Sequence, residues 1–156
     1  MNNFMLKRNQ SKVMRGLASV EFTILMSFVY IPLILGTVEI ARVFYQYNTL
    51  TKSVRQSARY ISLYSATSPS YATEKDNALN LAVFGNIGGT GTPIVPGLTT
   101  AKITVVTTNE GSPGTVAIKL VTVTATGYQL GYVSNFFVGG FKAFNDISAT
   151  MRQATT

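Results

Sequence analysis

The sequence predicts an α+β fold, with one long N-terminal helix packed on a small antiparallel sheet head. Three observations carry this. Residues 17–41 form a nearly continuous apolar run, and Phe22 to Val38 carries no charge. Beyond it, no Pro or Gly interrupts Glu39 to Leu63, while Leu50, Val54, Ala58 and Ile61 recur at i, i+4, i+8 and i+11 as one apolar stripe. Residues 101–108 and 115–126 are rich in Val, Thr and Ile, and 144–152 alternate weakly through Ile147, Ala149 and Met151, as strands do.

Taken in order, residues 1–16 are polar and basic and sustain no amphipathic pattern, so they read as a disordered leader. The apolar run 17–41 is long enough for a membrane helix, because about 20 residues at 1.5 Å each span a bilayer core. Pro32 predicts a kink there, and Gly36 adds local looseness. Residues 42–64 continue the helix as an amphipathic extension. Ser65 to Ser70, with Pro69 inside, ends it. Tyr71 to Phe84 reads as a second helix with Ala72, Leu79, Ala82 and Val83 on one face. Residues 85–97 are a glycine-rich loop, 109–114 a hairpin-like turn region, and 128–141 are ambiguous between helix and loop. The head is therefore 65–156.

Composition excludes several functions. The chain has 156 residues, no cysteine and no histidine, which removes disulfides, thiolate chemistry, zinc–thiolate sites and histidine bases. Net charge is +7, yet Lys7, Arg8, Lys12 and Arg15 all lie in the first 16 residues. Without them nine basic and six acidic residues remain, and no basic cluster interleaves with aromatics, so nucleic acid is not a predicted partner. No metal site or cofactor is predicted, and no catalytic residue. Glu74 and Asp76, two apart on a helix, do not face together, and the glycine-rich loop is not followed by a Gly-Lys-Ser/Thr sequence.

The most informative stretch is residues 15–22, in which a basic leader ends at Gly16 and one carboxylate, Glu21, stands at the mouth of the apolar run. A carboxylate at the edge of a membrane segment costs a few kcal/mol unless it is paired, which makes it a candidate functional residue. Glu39 follows 18 residues later, five helical turns on, so both project from one face. Arg42 lies at i+3 from Glu39, close enough to pair. The pair reads either as a neutralised couple at the outer membrane surface or as an inter-subunit contact. Lys52, Arg55 and Arg59 read either as a solvated face or as an electrostatic docking side.

Residues 15–63 resemble the TadE-like pilin family of tight-adherence type IV pili. The resemblance rests on residues 15–22, on Glu39 through Tyr45 and on Ala58 through Ser62. Residues 147–152 resemble that family's final strand. The resemblance implies a pilin-like precursor whose leader is cut after Gly16 by a prepilin peptidase, leaving Leu17 as the first mature residue and Glu21 as the fifth. It further implies a single-pass protein of the bacterial cytoplasmic membrane, N-terminus inside and head outside, or exposed on the pilus. Its partners would be other pilin subunits and the pilus assembly platform, and its role pilus assembly, adhesion and biofilm formation. The assembly residues would be Glu21, Glu39 and Arg42. The competing expectation is a signal-anchored periplasmic binding or enzymatic domain that never enters a filament.

Overall fold

A computed structural model of the chain describes residues 3–110, 118–127 and 146–154. Its elements are α1 (Asn3–Ser62), α2 (Tyr71–Phe84), a 3-10 turn (Thr100–Lys102), and three strands, β1 (Ile103–Glu110), β2 (Ile118–Ala125) and β3 (Ile147–Arg152). The chain divides into two compact units, Met1–Ala41 and Arg42–Thr156.

In the first unit the backbone is helical from Asn3 onward, so the leader is not the disordered segment that its polarity suggests. Residues 3–15 contain neither Gly nor Pro and are rich in Leu, Met, Lys, Arg and Gln, which lose little rotamer freedom in a helix. They also extend an existing helix, so no nucleation step opposes them.

The second unit is built around a meander. β2 is central, paired antiparallel with β1 and β3. The register places Ile103, Ala125 and Ile147 in one row, Val105, Val123 and Ala149 in the next, and Thr107, Val121 and Met151 in a third. These rows form the inner face. Ile103, Val105, Val121, Val123 and Ala125 are buried, and the β3 residues pack against them at the margin. Period-2 alternation puts Thr104, Thr108, Thr122, Thr124, Ser148 and Thr150 on the other face.

The α1 stripe is buried as its spacing requires: Leu50, Val54, Ala58 and Ile61 all belong to the same core as the sheet's inner face. Two serines beside the stripe join α1 to α2. Ser53 Oγ donates to the carbonyl of Ala82, and Ser57 Oγ to that of Ala78 at 2.6 Å. Small residues on both helices allow this approach, and the buried hydroxyls each find an acceptor. On α2 the buried face is Ala78, Leu81, Ala82 and Val83. Leu79 packs at its edge, but Ala72 is exposed, against expectation. The face begins instead at Tyr71 and Glu74. Tyr71 Oη shares a 2.8 Å hydrogen bond with Thr107 Oγ1, and Glu74 accepts one from Tyr60 Oη at 2.5 Å.

Helix α2 ends at Gly85, whose left-handed backbone (φ 74°) lets its N–H reach the Leu81 carbonyl. The following loop is pinned rather than loose. Asn86 donates to the carbonyl of Thr90 at 2.7 Å and accepts from its N–H at 3.2 Å, and Ile94 N–H donates to the Val83 carbonyl at 2.9 Å. Val95 and Leu98 are thereby drawn fully into the core. At the chain's far end the Gln153 amide donates to the Tyr64 carbonyl at 2.6 Å and Ala154 N–H to the Ser62 carbonyl at 2.8 Å, tying the end of β3 to the end of α1.

Strand bounds differ modestly from the sequence reading. Ala101 and Lys102 lie in the 3-10 turn, and β1 runs on through Asn109 and Glu110. The reason is register: Ile103 opposes Ala125, the last strand residue of β2, and Glu110 opposes Ile118. Residues 115–117 and 144–145, the turn residues 111–114, and the ambiguous segment 128–141 lie outside the described residues.

Candidate membrane and assembly segment

The chemistry of the first unit is that of a surface, not a pocket. Fourteen large apolar or aromatic residues between Leu17 and Ile40 are 47–75% exposed, and they cover all sides of the helix. At roughly 1.5 kcal/mol for each such side chain taken out of water, the unfavourable exposure is on the order of 20 kcal/mol. Covering this segment with lipid or with other helices is favourable on that scale. Gly16–Ser62 contains the one stretch among the described residues that is long and apolar enough to cross a membrane, and none of its most apolar window is buried. One such N-terminal helix is compatible with a single-pass membrane anchor.

Three hydroxyls within this run are satisfied by the helix itself. Thr23 Oγ1 donates to the Ser19 carbonyl, Ser27 Oγ to the Thr23 carbonyl and Thr37 Oγ1 to the Ile34 carbonyl, each at 2.8 Å. A hydroxyl bonded back to its own preceding turn enters hydrocarbon without a lost partner, which lowers its cost there. Ser19, Thr23 and Ser27 recur every fourth residue, a spacing visible in the sequence.

Gly16, Leu17 and Glu21 are all exposed on α1, Leu17 at 69%. A Cβ added to Gly16 would meet nothing within 4 Å. Glu39 is half-buried in the first unit, and Arg42 is exposed at the start of the second. The other functional polar residues are those that hold the head: Ser53 and Ser57 on α1, and the Tyr60–Glu74–Asn77 cluster, in which Asn77 Nδ2 also donates to Glu74 at 3.1 Å. Sequence reading missed both serines. Their spacing of four, one residue before Val54 and Ala58, was the available signal.

A model of the TadE-like protein family matches residues 16–59. The chain is similar to TadE-like proteins over this stretch, 44 of its 156 residues. That family is one of structural, pilus-associated proteins. The match opens at Gly16, runs through Glu21, Glu39 and Arg42, and ends at Arg59, within the last turn of α1. It covers neither α2 nor the sheet, and the resemblance of residues 147–152 lies outside it. No curated protein matches the chain, and no solved structure does.

Proposed function

We propose that the chain is a structural minor pilin or pseudopilin of a tight-adherence type IV pilus. It is synthesised as a precursor, cut after Gly16 by a prepilin peptidase, and held in the cytoplasmic membrane with its N-terminus inside and its head outside. From there the assembly platform draws it among other pilin subunits, into a filament or as its primer, in the service of adhesion and biofilm formation. The observation that carries this reading is the TadE-like segment, which opens at Gly16 on an all-round apolar, exposed helix.

The mechanism is transfer between two apolar surroundings. In lipid the segment is covered by acyl chains. In a filament it is covered by equivalent helices, so extraction exchanges one apolar environment for another at small net cost. Cleavage creates an ammonium group at Leu17, four residues from Glu21 and one helical turn away. Pairing the two, within one subunit or between neighbours, offsets the cost of burying each charge and favours a single register. Glu39 and Arg42 are the polar residues at the outer end of the same apolar segment. The head's own packed core points to a minor component, since the main subunits of such pili are far shorter.

N-terminal sequencing of the mature protein tests the reading. The expected start is Leu17. Glu21→Ala should be cut normally and then fail to enter pili, whereas a mature chain beginning at Met1 would overturn the proposed processing.

A further inference from the structure

The outer side of the second unit's helix carries a row of cations that the sequence reading leaves open between solvation and docking. Lys52, Arg55 and Arg59 are exposed, and spacings of three and four residues at 100° per residue confine them to an arc of about 60°. That arc lies opposite Leu50, Val54 and Ile61, which are buried in the core. Among the described residues, the side chain of none of the three makes a hydrogen bond or an ion pair; only the Arg59 backbone carbonyl is engaged, by Ser62 Oγ. Three unpaired like charges within about 10 Å of helix repel one another, and one acidic partner relieves all three contacts at once.

From this we infer that the row is a docking surface for an acidic helix of a different protein subunit, one that presents carboxylates at i, i+3 and i+7. A second copy of this chain is a poor occupant. Residues 42–156 hold nine basic residues against four acidic ones, so two copies repel overall. The four acids also lie on separate elements or are already engaged. Glu74 is bonded to Tyr60 and Asn77, Asp76 is exposed on α2, Glu110 ends β1 and Asp146 precedes β3, so no row on this unit matches the cationic one. A lipid surface fits less well too. An interfacial helix inserts its apolar face, and here that face is spent on the core, which leaves charge alone to hold the membrane. The inference rests on the pilus-assembly reading only for the kind of subunit involved.

The test uses the full-length chain in zwitterionic nanodiscs, titrated with two labelled helical peptides of identical composition. One carries three Glu residues on a single face at i, i+3 and i+7; the other has them dispersed around the helix. The facial peptide should bind more tightly, and its binding should weaken with salt, since exposed charges are screened over about 8 Å at physiological ionic strength. Replacing Lys52, Arg55 and Arg59 together by Gln should weaken it about tenfold, the sum of three modest exposed pairs. Replacing Lys75, Lys119 and Arg152 by Gln removes the same charge elsewhere and should leave binding intact. Equal affinity for both peptides, or equal loss in both triple variants, would overturn the inference by reducing the row to general attraction of anions. So would cation-row-dependent binding of phosphatidylglycerol vesicles or duplex DNA without a preference for the facial peptide, or a salt-sensitive homodimer abolished by the first triple variant. Failure of the pilin reading is registered separately, by the N-terminus of the mature protein, and does not move this titration.

Discussion

Replacing Gly16 by Ala separates two reasons why a glycine stands at the proposed cleavage point. Gly16 lies inside α1, and a protease needs its substrate extended, so the helix must open locally before the Gly16–Leu17 bond can be cut. Ala in a helix interior is favoured over Gly by about 1 kcal/mol, which lowers the opened population about fivefold. The new methyl group meets nothing within 4 Å, so the substitution strains neither the helix nor the head. Processing that slows by about fivefold is therefore explained by helix stability alone. We expect a much larger loss, because a side chain at this position also obstructs the close approach of backbone to the protease cleft. The assay is the rate of conversion of precursor to mature protein by a prepilin peptidase in membranes, followed by gel mobility and N-terminal sequencing. Circular dichroism and thermal melting of the variant check that nothing else has changed. Wild-type conversion of Gly16→Ala would refute the assignment of the cleavage point. A loss of only fivefold would refute specific recognition of the missing side chain.

Three further substitutions probe the head, each measured on the full chain in detergent by denaturant unfolding. Leu50→Ala empties a fully buried position of the core and should cost about 2–5 kcal/mol, with a cost below 1 kcal/mol contradicting the packing described. Ser57→Ala loses one buried hydrogen bond to Ala78 and should cost about 1 kcal/mol, whereas Ser57→Leu forces α1 and α2 apart and should cost more. Tyr60→Phe removes the bond to the Glu74 carboxylate and should cost about 1–3 kcal/mol, with a cost below about 0.5 kcal/mol contradicting a bond to a charged acceptor.

Much of the fold was written in simple periodicities. The α1 stripe of Leu50, Val54, Ala58 and Ile61 is buried position by position, because four apolar residues in one line admit a single orientation. The bounds of α2 agree for a similar reason: Pro69 and Ser70 precede it and Gly85 stops it. Its face was misread at Ala72, since the true face starts with Tyr71 and Glu74, whose polar tips conceal their role in packing. Val95 and Leu98 were hidden among glycines, and only the hydrogen bonds from Asn86 and Ile94 show why that loop folds inward. The helicity of residues 3–15 rests on propensity and on continuity with α1, neither of which leaves an amphipathic pattern. At the candidate site the legible part was local. Gly16, Glu21 and the apolar run are neighbours in sequence, so their meaning needs no tertiary structure. The pairing of Ser53 and Ser57 with carbonyls more than twenty residues away could not be read in that manner.

The two units place opposite demands on one helix, and this explains the distribution of polarity along it. From residue 17 to 41 the helix is apolar on every side, as suits a segment covered by lipid or by equivalent helices under the proposed function, and the hydroxyls of Thr23, Ser27 and Thr37 are turned back onto the helix's own carbonyls. From residue 42 to 62 the helix supplies one wall of a packed head and is apolar only where that wall is. Ser53 and Ser57 there donate outward, to α2, since a fixed neighbour supplies the acceptor, while Thr51 and Ser62 at the helix's other side and end still bond their own turn. A hydroxyl that bonds its own turn commits to no partner; one that bonds another element commits to a single arrangement. The first property suits a segment that, under the proposed function, exchanges neighbours on leaving a membrane for a filament. The second suits a head that keeps one packed arrangement. Under the proposed function, the exposed Glu21 in residues 17–41 and the cationic row of Lys52, Arg55 and Arg59 are the groups offered to other subunits.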